Sequence, residues 1–245
     1  MPNTIYTGLS QQIALQHRME IVANNIANAN TPGYRAQNMV FAEYVKNPDS
    51  SIETDNGNDT SLVSDYGQFL NTDQGPISQT ENPLDFALEG DGYFGIVTQD
   101  GTKYTRGGSF RLNNLGELVN PSGLAVAGEG GGAITIPNDA KEIKVTRDGS
   151  IFTDQGQAGK LMVVEFDNQQ DLRAVGNGLY ETDSAGAPAT ETTVLQGALE
   201  GSNVQPIIEV TRMMDVMRAY QRTQNLLQTE HDRERGMIQR LTRAQ

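Results

Sequence analysis

The sequence predicts an α+β chain in which N- and C-terminal helices pair as a coiled-coil-like domain around a central all-β module. Three observations predict it. Apolar residues near both ends recur at spacings of 3 and 4, the middle alternates short β-type runs with glycine-bearing turns, and charge is partitioned between ends and middle. Residues 1–46 hold 3 basic and 2 acidic side chains and residues 206–245 hold 7 arginines and 5 acids. From totals of 18 basic and 31 acidic, this leaves 8 basic against 24 acidic in 47–205. The middle is therefore a strongly acidic, solvated surface, while the ends are close to neutral.

The first helix is expected from about Thr4 to Ala29. Leu15, Met19, Val22 and Ile26 step by 4, 3 and 4, a narrow stripe of the coiled-coil type, with Ile5 extending it backward. Gly8 and Gln12 interrupt the stripe, and Leu9 and Ile13 lie alongside to share the contact. Thr31-Pro32-Gly33 ends the helix, because the residue before a proline is driven out of the α region. Residues 36–82, whose stretch 45–80 is rich in Asn, Asp, Ser and Gly, read as an extended linker after an N-terminal segment 1–35.

A β-rich domain is expected over 83–200. Its runs include Tyr93 to Thr98, Ser109 to Leu112, Ile134 to Ile136, Ile143 to Thr146 and Leu161 to Phe166. Asp100-Gly101, Asn114-Leu115-Gly116, Ser122-Gly123, Asp148-Gly149 and Gly176-Asn177-Gly178 punctuate them as turns.

The C-terminal segment 201–245 completes the helical domain. Ser202 and Gln205 have capping-box spacing, and Pro206 suits a first helical turn. Positions 210, 213, 217, 220, 224, 227, 231, 234, 238 and 241 are apolar in seven cases of ten. A first helix of about 26 residues spans roughly 39 Å and a second of about 39 residues roughly 58 Å. Part of the second seam therefore lacks a partner in its own chain, and other chains are expected to cover it, ordering ends that fray in the monomer. The candidate assembly interface comprises Ile5, Leu9, Leu15, Met19, Val22, Asn25, Ile26 and Asn28 with Val210, Met213, Met217, Tyr220, Leu227, Ile238 and Leu241.

Other chemistries find little support. No catalytic, cofactor-binding or metal-binding residue is expected. His17 and His231, the only histidines, lack ligand spacing. Gly128-Glu129-Gly130-Gly131-Gly132 lacks the Lys-Ser/Thr of a phosphate loop, and Asp55-Asn56-Gly57-Asn58-Asp59 lacks the Gly and Glu of a calcium loop. A sequence pI near 4.5 opposes nucleic-acid binding. No apolar run exceeds four residues, which opposes membrane insertion and a cleaved signal peptide. Absence of cysteine fits either redox compartment. Met213, Met214 and Met217 read as adaptable seam. Arg218 is placed to reach Asp215 within its helix. Asn24, Asn25, Asn28 and Asn30, poor formers of an isolated helix, stand equally between solvated surface and lateral hydrogen bonding to neighbours.

Ala23-Asn24-Asn25-Ile26-Ala27-Asn28-Ala29-Asn30-Thr31-Pro32-Gly33-Tyr34-Arg35 closely resembles the N-terminal signature of the bacterial flagellar axial proteins, the family of rod, hook and hook-associated subunits. Pro83-Leu84-Asp85, Gly90-Asp91-Gly92-Tyr93-Phe94, Tyr104-Thr105-Arg106-Gly107-Gly108-Ser109-Phe110 and Gly116-Glu117-Leu118-Val119 look like the β-domain core of its rod and hook members. Leu199-Glu200-Gly201-Ser202-Asn203-Val204, with Glu209 and Arg218-Ala219-Tyr220, is similar to the family's C-terminal signature. The length and the start Tyr6-Thr7-Gly8-Leu9-Ser10 look most like the proximal-rod branch, with the distal-rod branch second. Gln221, Gln224 and Asn225 depart from the distal-rod pattern.

The resemblance implies a non-enzymatic structural subunit, passed unfolded through the flagellar type III export apparatus without a cleaved signal peptide. In the periplasm it would polymerise into the basal-body rod, the shaft that carries torque from motor to hook. Its partners would be copies of itself, neighbouring proximal-rod subunits and the distal-rod protein. A reading from another class, an acidic β-rich cell-surface enzyme or carbohydrate-binding protein with helical flanks, stays open on the residues alone.

Overall fold

A computed structural model describes residues 2–46, 60–137, 140 and 142–243. The chain is α+β. Two long helices, α1 (Pro2–Ala27) and α2 (Pro206–Arg243), flank a β-rich middle. It divides into a helical unit, residues 1–27, 37–69 and 205–245, and a β unit, residues 28–36 and 70–204.

In the helical unit α1 stops at Ala27, two residues before the expected end. Residues 28–33 form turns instead, with the Thr31 N–H donating to the Asn28 carbonyl at 3.1 Å. Asparagine side chains offer the backbone alternatives to helix, so an Asn-rich run before Pro32 unwinds early. At the other end α2 begins at Pro206, with the Gln205 carbonyl accepting the first helical bond from the Glu209 N–H at 3.0 Å. The expected capping box is displaced. The Ser202 hydroxyl accepts from the Val204 N–H at 3.2 Å, two residues on, and Gln205 caps the helix through its backbone. Within 36–82, expected as an extended linker, Gln37–Lys46 and Thr60–Leu70 are strands of a two-stranded sheet. Residues 47–59, with the calcium-loop-like Asp55 to Asp59, lie outside the described residues.

The β unit is built around a six-stranded antiparallel sheet. Its order is Arg173–Gly176, Leu179–Glu181, Gly101–Thr105, Tyr93–Thr98, Val163–Glu165, Ala187–Pro188. The central pair forms a hairpin in which Phe94 opposes Thr105 and Thr98 opposes Gly101. At the sheet edge Asn177 and Gly178 both take positive φ, 53° and 70°, the backbone that a two-residue hairpin turn requires. The expected strand Ile134 to Ile136 is bridged residue by residue. Leu118 N–H donates to the Ile134 carbonyl and Ile136 N–H to the Gly116 carbonyl, at 2.9 and 2.7 Å, because neighbouring strands meet it on both sides for only a residue each. The run Gly128 to Gly132 closes a turn between the bridged Ala127 and Ala133.

Two apolar clusters hold this unit. One gathers Phe86, Leu88, Phe94, Ile96, Phe110, Leu118, Val126, Ile136 and Ile151, with the rings of Phe94 and Phe110 edge-to-face at 5.4 Å. The other gathers Leu70, Tyr93, Val164, Phe166, Leu172 and Tyr180. Each such side chain, fully buried, contributes about 1.5–3 kcal/mol. Burial raises the Tyr93 and Tyr180 phenols above the usual tyrosine range, and the Tyr93 hydroxyl donates to Gln169 at 3.0 Å.

Candidate assembly interface

Within the helical unit α1 and α2 pack antiparallel. Gly8 lies against Leu227, Gln12 meets Tyr220 and Asn25 meets Glu209, so the sequence numbers rise on one helix as they fall on the other. Residues read as interruptions of the stripe are among the closest contacts. A Cβ on Gly8 would stand 2.7 Å from Leu227 Cδ2, so any larger residue there requires the Leu227 side chain to shift. The Gln12 amide donates to the Tyr220 hydroxyl at 2.7 Å.

Asn25 is 1% exposed. Its side-chain amide donates to the Gln37 carbonyl at 2.8 Å and accepts from the Gln37 N–H at 3.0 Å, pinning the start of the strand Gln37–Lys46 to α1. It also donates to Glu209 at 3.4 Å. Glu209, buried in turn, accepts from Arg212 one turn later. Asn25 thus makes its hydrogen bonds inside the chain.

The intrachain seam on α2 is offset from the apolar stripe that periodicity singles out. Glu209, Val216 and Thr223 are buried, and Met213, Tyr220 and Leu227 are half-buried beside them. Val210 and Met217, expected in the seam, are 43% and 46% exposed. The buried Thr223 hydroxyl donates to the Ala219 carbonyl at 3.1 Å, so a polar residue occupies the seam with its donor satisfied. On α1 Val22 is buried, Leu15, Met19 and Ile26 are half-buried, and Leu9 and Ile13 are about half exposed. Asn28, half-buried, belongs to the β unit. The surroundings of the Ile5, Ile238 and Leu241 side chains lie outside the described residues.

Ile207, Val210, Met214 and Met217 therefore form a second stripe on α2, at spacings of 3, 4 and 3, facing away from α1. Ile207 is 84% exposed. A contiguous apolar stripe of this kind on a helix marks a surface for a partner. Carrying the antiparallel register to Pro2 leaves roughly the last ten residues of α2, about 15 Å, beyond the end of α1.

In the β unit the three sequence motifs converge on one charged cluster. Glu200, on the strand Ala198–Glu200, is 1% exposed. Its carboxylate accepts from Arg106 Nε at 2.5 Å, pairs with Arg35 at 3.2 Å and accepts from the Gly75 N–H at 2.9 Å. Arg106 also donates to the carbonyls of Leu88, Gly90 and Gly92, and Arg35 to those of Thr72 and Asp73. Burial lowers the Arg106 pKa below that of a free guanidinium, opposed by the Glu200 charge. Gly33, at φ 69°, packs where any Cβ would collide with the Arg106–Gly107 peptide, while its N–H donates to the Glu200 carbonyl at 2.8 Å. Nothing in local spacing relates Arg35, Arg106 and Glu200. Their only signal was that each falls in one of the three family-like motifs.

A cleft of about 410 Å³ in the same unit is rimmed by Glu129, Lys160, Arg147 and Asp148. The carboxylate of nearby Glu165 is taken up by the backbone of Thr190, Glu191 and Thr192 and by the Thr192 hydroxyl. Among the described residues no group of three His, Cys, Asp or Glu could hold a metal ion, and no helix is long and apolar enough to cross a membrane.

Three family profiles match the chain. The one described as Flagella basal body rod protein covers residues 5–35, Flagellar hook protein FlgE/F/G D1 domain covers 87–153, and Flagellar basal body rod FlgEFG protein C-terminal covers 195–240. Similar full-length proteins carry the same vocabulary. The flagellar basal-body rod protein FlgF of Caulobacter vibrioides is 35% identical over 243 residues, covering 98% of each chain. FlgF of Mesorhizobium japonicum is 34% identical, covering 93% of this chain and 92% of its own. The flagellar basal-body rod protein FlgG of Bacillus subtilis is 32% identical, covering 95% and 96%.

Proposed function

The chain belongs to the flagellar basal-body rod proteins and is a structural subunit of the rod rather than an enzyme, and on that premise we propose that it is a proximal-rod subunit. The alignment with the Caulobacter FlgF runs 243 positions, whereas that with the Bacillus FlgG runs 254, more than this chain contains. A FlgF-like length and spacing support the proximal reading. The distal rod is the second reading, since relatives named FlgG also match over nearly their whole length.

In this role the terminal helices pair as a coiled-coil-like unit and polymerise around the rod axis. The observation that carries it is the exposed stripe Ile207, Val210, Met214 and Met217, together with the part of α2 that outruns α1. Copies of this chain, neighbouring proximal-rod subunits and the distal-rod protein cover that surface, order the helix ends and turn the assembly into a shaft that carries torque. Leu9 and Ile13 extend the interface on α1. The flagellar type III apparatus delivers the chain to the periplasm. The acidic surface of the β unit keeps the turning rod from adhering to its surroundings.

Cryo-electron microscopy of basal bodies purified from cells carrying a tagged copy tests the reading. Density at the inner-membrane end of the rod supports the proximal position. Density next to the hook selects the distal one, and absence from the rod removes both.

A further inference from the structure

We propose that Arg35, Arg106 and Glu200 form a closing latch that keeps the β unit from completing its fold until the C-terminal motif docks. The three residues come from the beginning, middle and end of the β unit. Two guanidinium groups converge on one carboxylate, and all three are at most 2% exposed. Without Glu200 the interior would hold two cations with carbonyl partners only, and an uncompensated buried charge is strongly unfavourable. Glu200 is also the last of the three to be made.

The backbone around the latch makes the same demand. The strand Ala198–Glu200 pairs with Ile77–Gln79, and Gly33 N–H donates to the Glu200 carbonyl. Asn203 then ties down both remaining segments. Its side chain accepts from the Ala36 N–H at 2.7 Å and donates to the carbonyls of Asn71 and Asp73 at 3.0 and 2.8 Å. Residues 28–36 and 70–76 therefore share docking partners in 200–203, besides their bonds to each other and to Leu88 and Gln170. A chain whose C-terminal motif is unmade, or held extended, keeps these segments open and its guanidinium groups in water. The latch bears on when the rod subunit folds, and its test does not depend on rod assembly.

The test is refolding of the full-length protein from denaturant, followed by tyrosine fluorescence and by pulse hydrogen exchange at Gly33 and Gly75. Glu200→Gln keeps the shape and removes the charge. It is expected to slow refolding of the β unit by about tenfold or more and to delay protection of both amides together. The double variant R35Q/E200Q restores the wild-type balance of buried charge and is expected to refold faster than E200Q alone. The latch is overturned if the E200Q effect lies in the unfolding rate alone, or if the double variant refolds more slowly than the single. If E200Q does not fold, the double variant decides: its folding upholds the latch, and its failure overturns it.

Discussion

At the residue level, the positions that break the apolar pattern of α1 are those that fix the helix pair. Gly8 has no Cβ because Leu227 occupies that space. Gly8→Val is expected to cost about 1–3 kcal/mol through overpacking, seen as a lower midpoint of helix melting by circular dichroism. Gly236 is the contrasting case. Nothing stands within 4 Å of its would-be Cβ, so Gly236→Ala is expected to stabilise α2 by about 1 kcal/mol in the same measurement. In the β unit, hydrogen bonds led by the Thr192 hydroxyl hold the Glu165 carboxyl below the usual glutamate range. Its folded pKa is depressed, so its contribution is present above the ordinary glutamate pKa and is lost as pH falls through the depressed one. Amides of Thr190 to Thr192 are expected to lose exchange protection at that acidic edge, and Glu165→Gln, which has no carboxyl to titrate, to weaken protection at every pH and abolish the acid transition. Glycines at turns were legible because they closely follow Asp, Asn or Ser, or flank Asn, between short β-type runs. Gly8 was not, because its reason sits at the far end of the chain, on α2.

At the level of elements, both helices were legible from period and breakers, and α2 begins where its proline suggests. The face that α2 turns toward α1 was not. Apolar periodicity selects Val210 and Met217, yet the intrachain seam uses Glu209, Val216 and Thr223. The reason is that α2 carries two faces, and its buried polar positions are satisfied by Asn25, Arg212 and the Ala219 carbonyl. A count of greasy residues cannot see that compensation. The two faces make opposite predictions. Val216→Ala is expected to destabilise the monomer by about 1.5 kcal/mol or more in denaturant titration. Met217→Glu is expected to change monomer stability by less than about 0.5 kcal/mol while abolishing incorporation into rods, scored as loss of swimming. Monomer destabilisation by Met217→Glu equal to that of Val216→Ala would remove the outer stripe as an assembly surface.

For the whole molecule, the chain leaves the helical unit after Ala27, enters the β unit at Asn28 and returns twice more. The β unit is therefore not a simple insertion between helices. It includes Gly33 and Arg35 from the N-terminal motif and runs to Val204. A chain trimmed of residues 1–35 is expected to lose cooperative unfolding of its β unit, because Glu200 loses one of its two cations and Gly33 its place beside Arg106. A chain trimmed of only residues 1–27 is expected to retain it, and calorimetry distinguishes the two.

Features that neighbours along the chain dictate were legible without the fold. The sequence specified helices at both ends from period and from proline, short strands from alternating runs and glycine turns, an acidic middle, and a family resemblance carried by three contiguous motifs. Tertiary structure alone decided which face of α2 meets α1, that Asn25 bonds within the chain, and that Arg35, Arg106 and Glu200 share one buried site. Apart from the Asn25 bonds to Gln37, 12 positions away, those outcomes depend on pairing between residues 94 to 208 positions apart. Local propensity carries no information about such pairs, because the energy that selects them, desolvation offset by a distant partner, exists only once the chain has closed.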